Sequence, residues 1–191
     1  LIEDAKAIIR ARILPHRSTA TQIDWPLLEE LWGHQFPADY KWFLSTYGPG
    51  VLEGKLTFHV PEAPDAKPSE GMAAASFEAR AVWLLTGNPP DGIGWCGDPN
   101  LITWGDDENA NLYCWDASGP ADSWVTLVSD REDGLWRGFR LSFTELVAGL
   151  IEGRFGDFPF GPRRPEGDAP WRYIDTEAVR EIWARGDDPW A

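Results

Sequence analysis

Between Asp98 and Asp133 the chain carries nine carboxylates: Asp98, Asp106, Asp107, Glu108, Asp116, Asp122, Asp130, Glu132 and Asp133. Only Arg131 opposes them in that stretch. Paired carboxylates can do acid–base work on a glycosidic bond, but only at a fixed separation, which a sequence does not give. Calcium is the other chemistry such acids serve. Asp98-Pro99-Asn100 and Asp106-Asp107-Glu108 lack the alternating ligand pattern of a calcium loop, so they read as solvated turns. His16, His34 and His59 are far apart in the chain, and no Cys/His cluster has metal-ligand spacing. No nucleophile elbow and no glycine-rich phosphate loop is present. The residues therefore point to binding rather than turnover, with no cofactor and no metal. An acidic surface beside aromatic side chains suits a protein interface with a cationic partner. Aromatics supply contact area there, and carboxylates steer the encounter. The partner-binding candidates are Asp106, Asp107, Glu108, Asp130, Glu132 and Asp133.

Composition narrows the partner. The net charge of −14 excludes bare nucleic acid and an anionic membrane surface as ligands, because both need an excess of Lys and Arg. A basic protein remains. Twelve tryptophans in 191 residues belong in a core or a binding surface, and period-2 alternation alone does not assign Trp104, Trp115 and Trp124 to either. An indole-lined carbohydrate or small-molecule site stays open on the same count. The two cysteines, Cys96 and Cys114, make no disulfide framework and read as reduced thiols of a cytoplasmic protein. No apolar run is long enough to span a membrane, and no signal peptide is visible. The chain begins at Leu1 rather than Met, which leaves an upstream segment open.

The elements that must position these acids follow from periodicity. Residues 1–13 read as a short helix. Asp24 caps a second, with Pro26 in its first turn and Leu27, Leu28, Leu31 and Trp32 as its apolar face. A third runs from Pro37 to Gly48 on Tyr40, Phe43, Leu44 and Tyr47. Short strands flank Gly54, and 70–86 reads as a helix. From 93 to 141, Trp95, Trp104, Trp115, Trp124 and Trp136 recur every nine to twelve residues, the spacing of short strands joined by turns. The strand cores are 101–104, 112–115 and 124–128, with turns at 105–109 and 116–120 between them. Ser142 and Glu145 form a capping box ahead of Phe143, Leu146, Val147, Leu150 and Ile151, and Gly153 stops that helix. Residues 154–170 read as a linker or wrapping arm, before a last helix near 176–185 with Val179, Ile182 and Trp183 on one side. Segregated strands and helices predict an α+β fold: a curved antiparallel sheet of about four to six strands, flanked by helices, with a C-terminal extension.

The run Phe36-Pro37-Ala38-Asp39-Tyr40-Lys41-Trp42-Phe43-Leu44, followed by Tyr47-Gly48-Pro49-Gly50, resembles the signature of the SUKH superfamily. Trp104-Gly105-Asp106 and Leu112-Tyr113-Cys114-Trp115 are similar to its central strand pair. The 120–125 and 142–146 segments resemble its next strand and closing helix. The resemblance covers about residues 24 to 153, so 1–153 is expected to be the domain. Residues 154–191 are then a Pro/Gly-rich arm and a short helix packed on or wrapping it, and 61–92 is longer than a minimal member needs. The superfamily includes a fungal cell-wall-synthesis regulator and many bacterial immunity proteins. The resemblance implies no catalysis and a cognate toxin as partner, often a nuclease whose basic active site an acidic inhibitor fits. It also keeps a regulatory scaffold with several partners open. Tyr40, Phe43, Leu44, Gly48 and Gly50 are expected to make the fold rather than the interface.

Overall fold

The computed structural model describes residues 1–16, 22–62, 71–86, 97–156 and 169–191. Its helices are α1 (Ile2–Arg12), α2 (Trp25–Trp32), α3 (Ala38–Tyr47), α4 (Met72–Thr86), α5 (Phe143–Glu152) and α6 (Thr176–Ala184). Its strands are β1 (Ile13–His16), β2 (Gly50–Leu52), β3 (Leu56–Phe58), β4 (Leu101–Asp107), β5 (Leu112–Asp116), β6 (Val125–Asp130), β7 (Leu135–Phe139) and β8 (Trp171–Asp175). The eight strands form one open sheet in the order β1-β8-β2-β3-β4-β5-β6-β7.

The α+β expectation holds, with two corrections to the sheet. Among the described residues it has eight strands rather than four to six, and it is mixed, because β1 runs parallel to β8. Strand β8 sits between β1 and β2, pairing Val51 with Ile174, so the segment read as an extension contributes to the sheet. Both unforeseen strands are short, and each is specified by distant partners. Their own periodicity does not reveal them.

Alternation sorts each strand's side chains onto two faces. On the first face, Phe58, Trp104, Tyr113, Trp115 and Tyr173 meet Ala5 and Ile9 of α1, Tyr40, Phe43 and Leu44 of α3, and Phe143, Leu146 and Leu150 of α5. Phe143 is the hub. Its ring centroid lies 5.0 Å from Trp104, 5.1 Å from Tyr40 and 5.3 Å from Phe43. On the second face, Leu101, Leu112, Cys114, Leu127 and Trp136 meet Ala79 and Trp83 of α4. Trp104, Trp115 and Trp124 are all buried, which settles their placement as core. Leu27 and Leu31 of α2 and Trp183 of α6 are instead exposed, so those helices turn only part of their expected apolar faces inward.

The helix starts are held by local caps and by long-range acids. Ser142 and Glu145 close the capping box of α5 as expected. Buried Asp39, in the third helix's motif, also accepts from the Thr144 backbone N–H at 2.8 Å and its hydroxyl at 2.9 Å, tying α3 to α5. Asp122, in the turn before β6, accepts from the Ala38 N–H at 2.8 Å and so caps the start of α3. The Tyr40 hydroxyl donates to the His59 carbonyl at 2.6 Å. At Gly50 a Cβ would stand 2.6 Å from the Tyr173 ring, so the turn after α3 needs glycine for close approach.

Candidate functional site

A bulge decides where the acids of β4 point. Thr103 pairs with Cys114, but Gly105 pairs with Tyr113, so Trp104 is an extra residue in its strand. Unbroken alternation would send Asp106 to the aromatic core with Ile102 and Trp104. The extra residue flips the phase, leaving Trp104 and Gly105 on the core face and Asp106 on the face that α4 only partly covers. Gly105 is required there, since a Cβ would meet the Thr57 carbonyl oxygen at 2.5 Å. Asp106 thus stands between Thr57 of β3 and Leu112 of β5 in a cross-strand row.

The six expected partner-binding acids divide by role. Asp107 Oδ1 accepts from the Asn109 and Asn111 N–H groups at 2.9 and 3.1 Å. Its Oδ2 accepts from the Asn111 amide at 2.9 Å and the Tyr113 hydroxyl at 3.2 Å. Burial raises its pKa above the ordinary aspartate value, and these donors oppose the shift. Buried Asp130 likewise accepts from the Glu132 and Asp133 N–H groups at 3.0 and 3.3 Å. Asp107 and Asp130 therefore build turns. Glu108 is exposed and paired with Lys55, and Glu132 and Asp133 are exposed at the β6–β7 turn. The turn expected at 105–109 lies further along, because Gly105, Asp106 and Asp107 are strand residues.

Asn111 joins the two acidic turns. It donates twice to Asp107, while its side-chain oxygen accepts from the Arg131 N–H at 2.8 Å. The ends of β4–β5 and β6–β7 are thereby one rim, presenting Glu108, Glu132 and Asp133 to solvent. Asp116 and Asp122 serve elsewhere: Asp116 accepts from the Asn100 N–H and the Ser118 hydroxyl.

Beside the rim lies a groove of about 690 Å³, lined by Thr57, His59, Ala74, Ala75, Glu78, Asp106, Leu112, Arg131, Glu177 and Arg180 among others. His59 Nε2 stands 2.7 Å from Asp106 Oδ2 without the alignment of a hydrogen bond, so the contact becomes an ion pair only when the ring is protonated. In the sequence His59 stands isolated from the other histidines, and no local pattern marks Glu78 or Glu177. These residues come from three segments distant in the chain, and no local pattern links them. Among the described residues no three His, Cys, Asp or Glu side chains are grouped to hold a metal ion. Cys114 is free and buried beside Thr103, and burial pushes its thiol up to about 12. Cys96 lies outside the described residues. Among the described residues no helix is long and apolar enough to cross a membrane.

The fold and its rim define an α+β domain on an open mixed sheet, with two acidic turns joined at one end. The family model described as SUKH_6, SMI1-KNR4 cell-wall, matches residues 24–147, and the chain belongs to that family. That span runs from the cap of α2 into α5 and contains both acidic turns. Neither a curated protein nor a solved structure matches the chain.

Proposed function

We propose that this chain is a non-catalytic, cytoplasmic immunity protein that binds and neutralises a cognate bacterial toxin through its acidic surface. The observation that carries this reading is the single rim in which Asn111 joins two turns and Glu108, Glu132 and Asp133 face solvent. Family membership and the net charge of −14 support it. A nuclease, with its basic substrate channel, is the toxin class that this charge fits best.

The test is co-expression with the toxin domain encoded beside the gene, in a host that the toxin kills. Rescue with a stable 1:1 complex is the expected result. Lethality despite soluble expression, with no complex, would count against the reading. In a rescuing pair, Glu108, Glu132 and Asp133 changed together to Ser slow association roughly tenfold at low salt and flatten its salt dependence. Asp107 and Asp130 are left intact in that variant because they hold the turns.

The family's cell-wall description favours a second reading, a regulatory scaffold that binds several partners weakly. Micromolar binding to several unrelated proteins, with no toxin gene adjacent, would replace the first reading with this one.

A further inference from the structure

Helix α4 lies across β4 and β5, and α6 lies against β2 and β8. Between the two helices a strip of sheet is left uncovered by the described residues, floored by Thr57, Asp106 and Leu112 and walled by Ala74 and Ala75 on one side and Thr176 on the other. The small wall residues keep it open. Its volume, about 690 Å³, is in the range of pockets that enclose a ligand or a side chain with its backbone.

The charges inside are not balanced. Glu62 is occupied by the Met72 and Ala73 N–H groups, Glu108 by Lys55, and Glu177 by Arg180. Glu78 has no ion-pair partner among the described residues, and Asp106 stands beside His59, which is charged only when protonated. Arg131 also lines the groove but forms no ion pair with either carboxylate among the described residues. One carboxylate on the floor and one on the wall thus lack a fixed counter-charge among the described residues, Glu78 exposed and Asp106 about one-third exposed. Such a site favours a cation over a neutral group.

We propose that this groove is the anchor site for one arginine or lysine side chain, carried on a protein segment of the partner with small or apolar neighbours. The inference rests on the immunity reading and names the chemistry of the partner at that site. The cation meets Asp106 and Glu78, its stem lies along Thr57 and Leu112, and the flanking backbone occupies the space left by Ala74 and Ala75.

The test is an NMR titration of the full ¹⁵N-labelled chain with the peptide acetyl-Ala-Ala-Arg-Ala-Ala-amide. The same peptide with citrulline in place of arginine, and spermidine, are the comparisons. The expected result is a set of amide shifts centred on Thr57, Asp106, Ala74 and Thr176, with the citrulline peptide bound about tenfold more weakly. E78Q and D106N should each weaken arginine-peptide binding, and T57R should abolish it by filling the groove with its own cation. E78Q changes an exposed helix residue and so carries the test even if T57R does not fold. Shifts centred on Glu132 and Asp133, or equal binding of the citrulline peptide, would overturn the proposal. Spermidine binding as tightly at the same amides would overturn it too, by making the groove a polyamine site. A failed immunity reading appears separately, as loss of rescue by the unmodified chain. In a rescuing pair, an affinity unchanged by E78Q would sink the groove and leave the immunity reading standing.

Discussion

The two faces of the sheet are closed by different means. The first is sealed by α1, α3 and α5 over a continuous network of aromatic rings. The second carries α4 over a smaller cluster and, among the described residues, leaves the strip beside Asp106 open. The aromatic wealth of the chain therefore belongs mainly to the fold, and Glu78 and Asp106 lie on the less covered side. Trp104 and Asp106 are two residues apart, yet the bulge sends one to each side. A high tryptophan count consequently says little about binding here, whereas the phase of a single strand says a great deal.

The sharpest way to break this comparison is at the hub of the first face. Phe143→Ala should destabilise the chain by about 3–5 kcal/mol, because it removes a ring that touches both helices and sheet and leaves a cavity among stiff neighbours. Urea denaturation measures it. A loss below about 1 kcal/mol would mean that the first face is no better packed than the second. Next in size is Asp39→Ala, which strands the Thr144 N–H and hydroxyl and should cost roughly 1.5–3 kcal/mol. Asp39→Asn keeps one acceptor and should recover part of that loss. If Asp39→Ala were neutral, the tie between α3 and α5 would not contribute to stability.

Glu145 gives a smaller effect with a pH signature. The Ser142 backbone N–H holds its pKa below the ordinary glutamate value, against an opposing effect of burial. Because the folded pKa is lowered, its stabilisation is present above the unfolded value. It is lost as pH falls through the folded value. Glu145→Gln should therefore cost on the order of 1 kcal/mol at neutral pH and nothing once the wild-type carboxyl is protonated. Stability curves of the two proteins that stay parallel from neutral to acid pH would rule this out.

How much of this was legible in advance depended on how local the cause was. The capping box of α5 and the glycine that ends it are written within a dozen residues, and both are observed. The Asp24 cap of α2 is equally local, with its side chain accepting from the Leu27 N–H. Strands β1 and β8 were not legible, because four or five residues find their place only when 13–16 and 171–175 meet. The site was legible as chemistry but not as geometry. Six acids were picked out by charge, while the β4 bulge, the roles of Asp107 and Asp130 within their turns, and the pairing of His59 with Asp106 depend on register. A tryptophan followed by glycine inside a strand, ahead of paired acids, was the one available hint of a bulge.

The smallest predicted effect tests the second face from outside. On α4, Ala79 and Trp83 point inward, whereas Phe77 and Leu84 are 75% and 79% exposed. Burial decides what a substitution costs, so replacing an exposed ring removes little that the folded state had gained over the unfolded one. Phe77→Ser and Leu84→Ser should each change stability by less than about 0.5 kcal/mol, despite deleting large apolar side chains. Trp83→Ala, one residue from Leu84, should cost several times more, since its indole packs on Trp136 at 5.3 Å. Thermal denaturation of the three variants side by side makes the comparison. Equal losses at Phe77 and Trp83 would mean that the outer side of α4 is covered as well as the inner. The contrast between a sealed face and an open one would then fail at the helix that defines it.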